Sequence, residues 1–327
     1  MAGPQTQLAF DREFAGAMAG IAEMFAGAER RPAGDVKGRR EDFNGLFTVL
    51  FDKVPETPTV VQKEHFVPTY DGLEVQLLEF RSSSQQSKSG AAIYQVHGGG
   101  MIGGSPGLLA KALAASCEMS GLPIFAINYR KAPENPHPAP VNDCYAGLQW
   151  LHAHAGELGI DKSKIIIWGE SAGGGIAAGT ALMARDQKLS PPLAMQVLIY
   201  PMLDDRNLTP TNVDGMGVWR CDDNITGWQA LLGKDAGSEK EVEGHAYAAP
   251  ARAKDLSGLP PTYIDVGQLD IFYAEDLKYA GRLADVGVPV EFHLYPGLPH
   301  AFEGLGPQTQ IVKGALANRQ RRIAEFH

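Results

Sequence analysis

Residues 165–180 read IIIWGESAGGGIAAGT, and the interpretation of the chain turns on them. Three isoleucines and a tryptophan make a short apolar, β-branched run of the kind that fills a buried strand. Gly169-Glu170-Ser171-Ala172-Gly173 follows at once, and a small-residue run then reads as a helix to about residue 186. Strand, G-x-S-x-G turn and helix in that order form a nucleophile elbow. The spacing has a physical reason. A serine must sit in a tight turn for its hydroxyl to project above the sheet edge, and glycines two residues either side let strand and helix approach without a Cβ clash. The amide of Ala172 then opens the helix, where the helix dipole favours a developing negative charge. A bare G-x-S-x-G is common in a chain with 38 glycines, so the rest of the chain must supply the weight.

A serine nucleophile needs a base, a group that orients the base, and oxyanion donors. The histidines after Ser171 are His245, His293, His300 and His327. His293 falls inside a strand pattern, where a structural imidazole is expected. His300 follows Pro296-Gly297-Leu298-Pro299, past the carboxyl end of the last strand, where catalytic groups gather in open α/β sheets. Asp270 stands in the matching place after the preceding strand, with Asp204 and Asp205 as rivals one strand earlier. Strand-end placement and the chain order Ser, Asp, His favour Asp270. The second set of donors is expected from His97-Gly98-Gly99-Gly100, directly after another strand. Consecutive glycines let bare amides turn toward a substrate oxygen. No Lys or G-K-[ST] follows, which argues against a phosphate loop. His97 is expected to hold the loop by hydrogen bonding rather than to act as a second base.

Around these motifs, strands are expected over 92–96, 124–128, 164–168, 195–200, 262–266 and 290–295. Helices are expected near 107–120, 141–154, 172–186, 273–286 and 311–326. Strand and helix in alternation predict a mostly parallel sheet covered on both faces. Asp71-Gly72 between alternating segments predicts an antiparallel hairpin with a primed turn, and 82–90 a polar loop. Phe10, Phe14, Met18, Ile21 and Phe25 mark an amphipathic N-terminal helix, while the Arg-rich 29–40 reads as a solvated link. Residues 203–250 are too long for a simple crossover and read as an insertion over the site.

The net charge of −9 argues against nucleic acid and anionic membrane surfaces as partners. Three widely spaced cysteines form no disulfide framework or metal-ligand spacing. The N-terminus lacks a basic stretch followed by an apolar one, and no apolar run reaches membrane-spanning length. A cytoplasmic protein is therefore the expectation.

Taken together, HGGGMIGGS at 97–105, YRKAPENPHPAP at 129–140, GESAGG at 169–174, YAAPARAKDLSGLPPTYIDVGQLD at 247–270 and PGLPHAF at 296–302 resemble the hormone-sensitive-lipase-like esterases. The resemblance runs from about residue 64 to the C-terminus. It implies the α/β-hydrolase fold: an eight-stranded, mostly parallel sheet with helices on both faces and a helical cap. On that reading 1–55 and 203–250 form the cap, and 56–202 and 251–327 the core. It also implies Ser171 as nucleophile, His300 as base and Asp270 as acid. The oxyanion hole would come from the amides of Gly98, Gly99 and Ala172, with His97 and Glu170 supporting the site. No metal or cofactor is implied, and the family leaves room for a homodimer. Three positions depart from the family pattern: Met101, where an aromatic is frequent, Ala301, where glycine is common, and Lys131, where an apolar residue is usual.

The expected reaction is hydrolysis of a small-molecule carboxylic ester through an acyl-enzyme on Ser171, with an apolar acyl pocket formed by Met101, Met202, Leu203, Trp219 and Leu298. That pocket would favour small to medium hydrophobic acyl groups. The same machinery could cleave a metabolite lactone, thioester, carbamate or amide. A non-catalytic small-molecule binder is the reading from another class, and the presence of His300 beside Ser171 and Asp270 disfavours it.

Overall fold

The computed structural model describes residues 8–25, 30–83, 89–240 and 244–327. Eight strands form one sheet: β1 (Val60–Pro68), β2 (Glu74–Ser82), β3 (Ala92–Val96), β4 (Ile124–Ile127), β5 (Ile165–Glu170), β6 (Met195–Ile199), β7 (Thr262–Gly267) and β8 (Val290–Tyr295). Their order is β1-β2-β4-β3-β5-β6-β7-β8. The first two strands pair antiparallel with each other, and β2 does so with β4; every other neighbour is parallel. The inner parallel strands are buried on both faces, which is why they read as continuous apolar runs rather than as alternation.

The helices are α1 (Arg12–Phe25), α2 (Val36–Phe51), α3 (Ala110–Ser120), α4 (Ala139–His154), α5 (Ala172–Asp186), α6 (Cys221–Leu232), α7 (His245–Ala248), α8 (Tyr273–Asp285), α9 (Phe302–Leu305) and α10 (Gln310–Ala324). Successive residues of a strand face opposite sides. Ile165 and Ile167 of β5 accordingly join a core with Leu148 of α4, Ile176 of α5 and Leu283 of α8. Ile166 joins the opposite core with Leu113 and Cys117 of α3 and Val312 and Ala315 of α10. Of the N-terminal stripe, Phe14 is buried and Phe10 and Met18 pack beside it; the side chains of Ile21 and Phe25 lie outside the described residues.

Two local expectations are corrected. The β1–β2 hairpin forms, but its turn is not of the primed type. Gly72 donates to the carbonyl of Thr69 at 3.1 Å and takes φ +80°, while Asp71 stays at negative φ. A left-handed glycine following the turn is the longer hairpin solution, and it needs glycine at one position only. The arginine-rich segment is not a solvated link. Its described part runs into α2, which Asp35 caps by accepting from the amide of Gly38 at 2.9 Å. Arg39 is 2% exposed, meets Asp223 at the start of α6 at 2.7 Å, and donates to the carbonyl of Arg31 at 2.8 Å. Arg40 donates to the carbonyls of Ile102 and Ala132 at 2.6 and 3.0 Å. The polar loop expected over 82–90 lies largely outside the described residues, as 84–88 are not described.

These arginines fasten α2 to α6 and to the loop after β3, and Phe43 stacks against Trp219 with ring centroids 5.0 Å apart. Removing one partner of a buried ion pair leaves the other charge unpaired, at a cost of about 3–5 kcal/mol. Arg39→Ala is therefore expected to raise amide hydrogen exchange across α2 and α6 by two orders of magnitude or more, with little change in α5 or β5. Uniform protection in the variant would show that the pair does not anchor these segments.

Candidate active site

The strand β5 ends at Glu170 and α5 begins at Ala172, leaving Ser171 in the turn with φ +56° and ψ −124°. A side-chain-bearing residue with positive φ stores roughly 1–3 kcal/mol of strain, which the surroundings must hold. They do so through the backbone. The Ser171 amide donates to Ile199 at 2.9 Å, and the Ser171 carbonyl accepts from Met202 at 3.0 Å and Gly175 at 3.1 Å. A Cβ on Gly173 would overlap the carbonyl oxygens of Val96 and His97, and one on Gly98 would come within 2.9 Å of the Glu170 carbonyl. The loop after β3 thus rests directly on the elbow, backbone against backbone.

Ser171, Asp270 and His300 are brought together. The Nε2 atom of His300 lies 2.9 Å from Ser171 Oγ, and Nδ1 lies 2.6 Å from Asp270 Oδ2. The other oxygen of Asp270 accepts from the amide of Phe272 at 3.0 Å. With Nδ1–H donating to the carboxylate, Nε2 is left to accept the serine proton. The imidazole is held edge-on by Tyr200 at 4.6 Å and Phe272 at 5.3 Å between centroids. The rivals are engaged elsewhere. Asp204 pairs with Arg206 at 2.7 Å, Asp205 with Arg252 and His245, and His293 with Glu291 at 2.7 Å.

Among the described residues, the amides of Gly98, Gly99 and Ala172 donate no hydrogen bond, whereas the Gly99 carbonyl is tied down by Ile102 and Gly103 at 3.1 and 2.9 Å. Gly99 takes φ +121° and Gly100 φ +61°, a path that glycine follows at low cost, and Met101 at φ +64° carries strain of its own. His97 behaves as expected of a loop support. Its Nδ1 donates to the carbonyl of Gly98 at 2.7 Å, and its ring stacks on Tyr129 at 4.4 Å. Burial pushes its pKa well below the usual imidazole value, so it is neutral.

A cavity of about 330 Å³ opens beside Ser171 and His300. Of the five residues expected to line an acyl pocket, only Trp219 is on its wall. Met101, Met202, Leu203 and Leu298 are fully buried among core side chains and do not reach it. The wall is built instead by Phe43, Phe47 and Leu50 of α2 and Leu113 and Met119 of α3, with Trp168, Glu170, Tyr200, Glu303 and Arg319 completing it. Trp168 and Glu170 are alternate residues of one strand, so the cavity descends along the sheet from Ser171. Glu170 accepts from Gln95 Nε2 at 2.7 Å, and burial pushes its pKa up to about 7. Sequence reasoning missed α2 because its apolar positions look like ordinary core, and missed Glu303 and Arg319 because no motif contains them.

An eight-stranded sheet of this order, with a serine on the turn after β5, defines the α/β-hydrolase fold. A family model described as alpha/beta hydrolase fold matches residues 93–304. Carboxylesterase NlhH of Mycobacterium tuberculosis is 31% identical over 255 residues, covering 76% of this chain and 77% of that protein. Esterase LipI of the same organism is 36% identical over 185 residues, or 55% of this chain; the match spans 56% of LipI, little more than half its length. The solved structure of a bacterial heroin esterase superposes with a TM-score of 0.86 at 33% identity, over 97% of this chain and 98% of that one. The chain belongs to the hormone-sensitive-lipase-like family of α/β hydrolases and is a carboxylesterase-type hydrolase. No helix among the described residues is long and apolar enough to cross a membrane.

The raised pKa of Glu170 has a consequence for stability. A carboxyl whose folded pKa exceeds its unfolded value binds its proton more tightly when folded. Its stabilising contribution is complete below the unfolded value, about 4.5, and is lost as pH rises through about 7. Glu170→Gln removes this term. Wild type is expected to lose stability relative to the variant between pH 4.5 and 7, read as the difference in denaturation midpoint; parallel curves would refute it.

Proposed function

We propose that Ser171, His300 and Asp270 act as a catalytic triad that hydrolyses small-molecule carboxylic esters through an acyl-enzyme. The observation that carries this reading is the continuous path from Ser171 Oγ to His300 Nε2, and from Nδ1 to Asp270 Oδ2, at 2.9 and 2.6 Å. Ser171 attacks the ester carbonyl as its proton passes to Nε2. Asp270 holds the imidazole in the required tautomer and stabilises the imidazolium. The amides of Gly98, Gly99 and Ala172 receive the oxyanion, each contributing about 3 kcal/mol to the transition state. Collapse of the tetrahedral intermediate breaks the C–O bond, and the departing alcohol takes the proton from Nε2. Water then attacks the acyl-enzyme, its proton passing to Nε2 and on to Ser171 Oγ as the acid leaves.

The 1–55 and 203–250 segments act together as a cap over a core of 56–202 and 251–327. Support comes from Trp219 of the insertion, which closes on Gly100, and from Gly217, where a Cβ would stand 3.4 Å from the amide of His300. Residues 1–7, 26–29 and 241–243 of the cap lie outside the described residues. The apolar gallery formed by α2, α3 and Trp219 suits hydrophobic acyl groups of small to medium length.

Hydrolysis of p-nitrophenyl esters from acetate to palmitate is expected to peak at short to medium chains and to vanish in Ser171→Ala. Substantial residual turnover would move the nucleophile elsewhere. Asp270→Asn is expected to lower kcat about 10⁴-fold, as in the serine protease triad, by imposing the wrong tautomer on the base. Asp204→Asn should leave kcat within a few-fold. A larger loss in the second variant than in the first would overturn the choice of acid.

A further inference from the structure

The cavity beside Ser171 is not apolar throughout. Most of its wall is aliphatic and aromatic, but at one end Glu170, Glu303 and Arg319 face it together with Tyr200 and Trp168. The charges there do not balance. Arg319, at 3% exposure, is committed to Asp265 by two bonds, Nε to Oδ2 at 2.7 Å and Nη2 to Oδ1 at 2.9 Å. Its remaining arm reaches Glu303 Oε1 at 3.1 Å, where the Tyr200 hydroxyl also donates. One guanidinium therefore answers three acidic side chains: Asp265, Glu303 and Glu170. The second oxygen of Glu303, Oε2, is buried and has no hydrogen-bond partner among the described residues. Glu170 accepts from Gln95 Nε2 at 2.7 Å. A buried acceptor left unpaired costs about 1–3 kcal/mol, and the partly exposed side chain that carries it lines the cavity beside Ser171.

We infer that this end of the cavity recognises a protonated amine on the substrate, with Glu303 and Glu170 as the residues that select it. The inference rests on the triad reading above and names the substrate class of that same site. Three arguments favour a cation over other occupants. Once the Glu303 carboxylate turns its Oε2 toward the cavity, an ammonium N–H satisfies it with a charge-assisted bond, about twice as strong as a neutral one. It supplies the positive charge that a single arginine leaves short. The rings of Trp168 and Tyr200 on the same wall suit an alkylammonium group, which is attracted to aromatic faces. An anionic substrate meets the opposite situation, because Arg319 is already committed to Asp265 and Glu303. Glu170 is held near neutrality by burial and by the adjacent Glu303; a cation beside it would draw the proton off and strengthen its own site.

The test compares esters of one shape that differ only in charge. On the alcohol side, 2-(dimethylamino)ethyl butyrate is matched by 3-methylbutyl butyrate. On the acyl side, p-nitrophenyl 4-(dimethylamino)butyrate is matched by p-nitrophenyl 5-methylhexanoate. At pH 7 the amines are protonated, and the ratio of kcat/KM within each pair reports charge selection independently of overall activity. At least one pair is expected to favour the amine by tenfold or more, and Glu303→Gln to bring that ratio close to one. Should Glu303→Gln fail to fold, because Arg319 loses a partner, Glu170→Gln serves, and it is expected to lower the same ratio several-fold. Equal or better turnover of the neutral ester in both pairs would overturn the inference, as would a preference that survives in both variants. Hydrolysis of p-nitrophenyl butyrate separates the two levels: turnover without charge preference sinks only the amine specificity, while no Ser171-dependent turnover sinks the triad reading and the inference with it.

Discussion

The architecture of the site follows from one close approach. The backbone after β3 lies on the backbone of the β5–α5 turn so closely that Gly173 has no room for a Cβ beside the carbonyls of Val96 and His97, and Gly98 has little beside that of Glu170. That contact fixes the distance between the hydroxyl of Ser171 and the free amides of Gly98 and Gly99. It also explains why Ser171 keeps a positive φ: the strained turn is clamped by Ile199, Met202 and Gly175 through main-chain hydrogen bonds, which no side-chain repacking can relax. Ser171 and the free amides of Gly98 and Gly99 are therefore one rigid body, to which the loop carrying His300 is added from the far side of β6.

What could be read in the sequence is what local chemistry encodes. Buried parallel strands announce themselves as β-branched runs, and their ends place Asp270 and His300 because catalytic groups in such sheets stand at the carboxyl edge. The elbow and the glycine loop were legible for a related reason: backbone that must approach backbone can be built from glycine and little else. Where side chains decide, the signal was lost. Arg39 looked like a solvent-facing charge because its partner, Asp223, stands 184 positions away. The apolar positions of α2 were indistinguishable from core. The choice of Met101, Met202 and Leu203 for the pocket failed because proximity in sequence to a catalytic loop says nothing about which way a side chain faces. The hairpin turn was misread on a finer point, since Asp-Gly serves both a primed turn and a turn followed by a left-handed glycine.

The wall of the cavity shows how structural and specificity roles come to share residues. Arg319 ties α10 to β7 through Asp265, with Tyr263 donating a further bond to that carboxylate at 2.9 Å. A buried guanidinium must be surrounded by acceptors, and the acceptors chosen include Glu303, three residues after His300. The staple that secures the last helix thus brings a carboxylate to the end of the substrate cavity. Its negative surplus is the residue of that arrangement.

The support behind the oxyanion loop departs from the family pattern at Lys131 without weakening the loop. Its ammonium sits 3.9 Å from the centre of the Tyr129 ring and donates to Asn128 Oδ1 at 3.3 Å and to the carbonyl of Tyr129. Tyr129 stacks in turn on His97, and its hydroxyl donates to the His97 carbonyl at 3.0 Å. Burial pushes the lysine pKa down to about 7, so the ammonium persists only below about that pH, where the ring face and two oxygens stand in for water. Burial first, and the positive charge behind the stack second, keep His97 neutral, while its Nδ1 bonds to the carbonyl of Gly98. An apolar residue at 131 could fill the space, but only a lysine, while protonated, adds to the burial that disfavours a charge on His97.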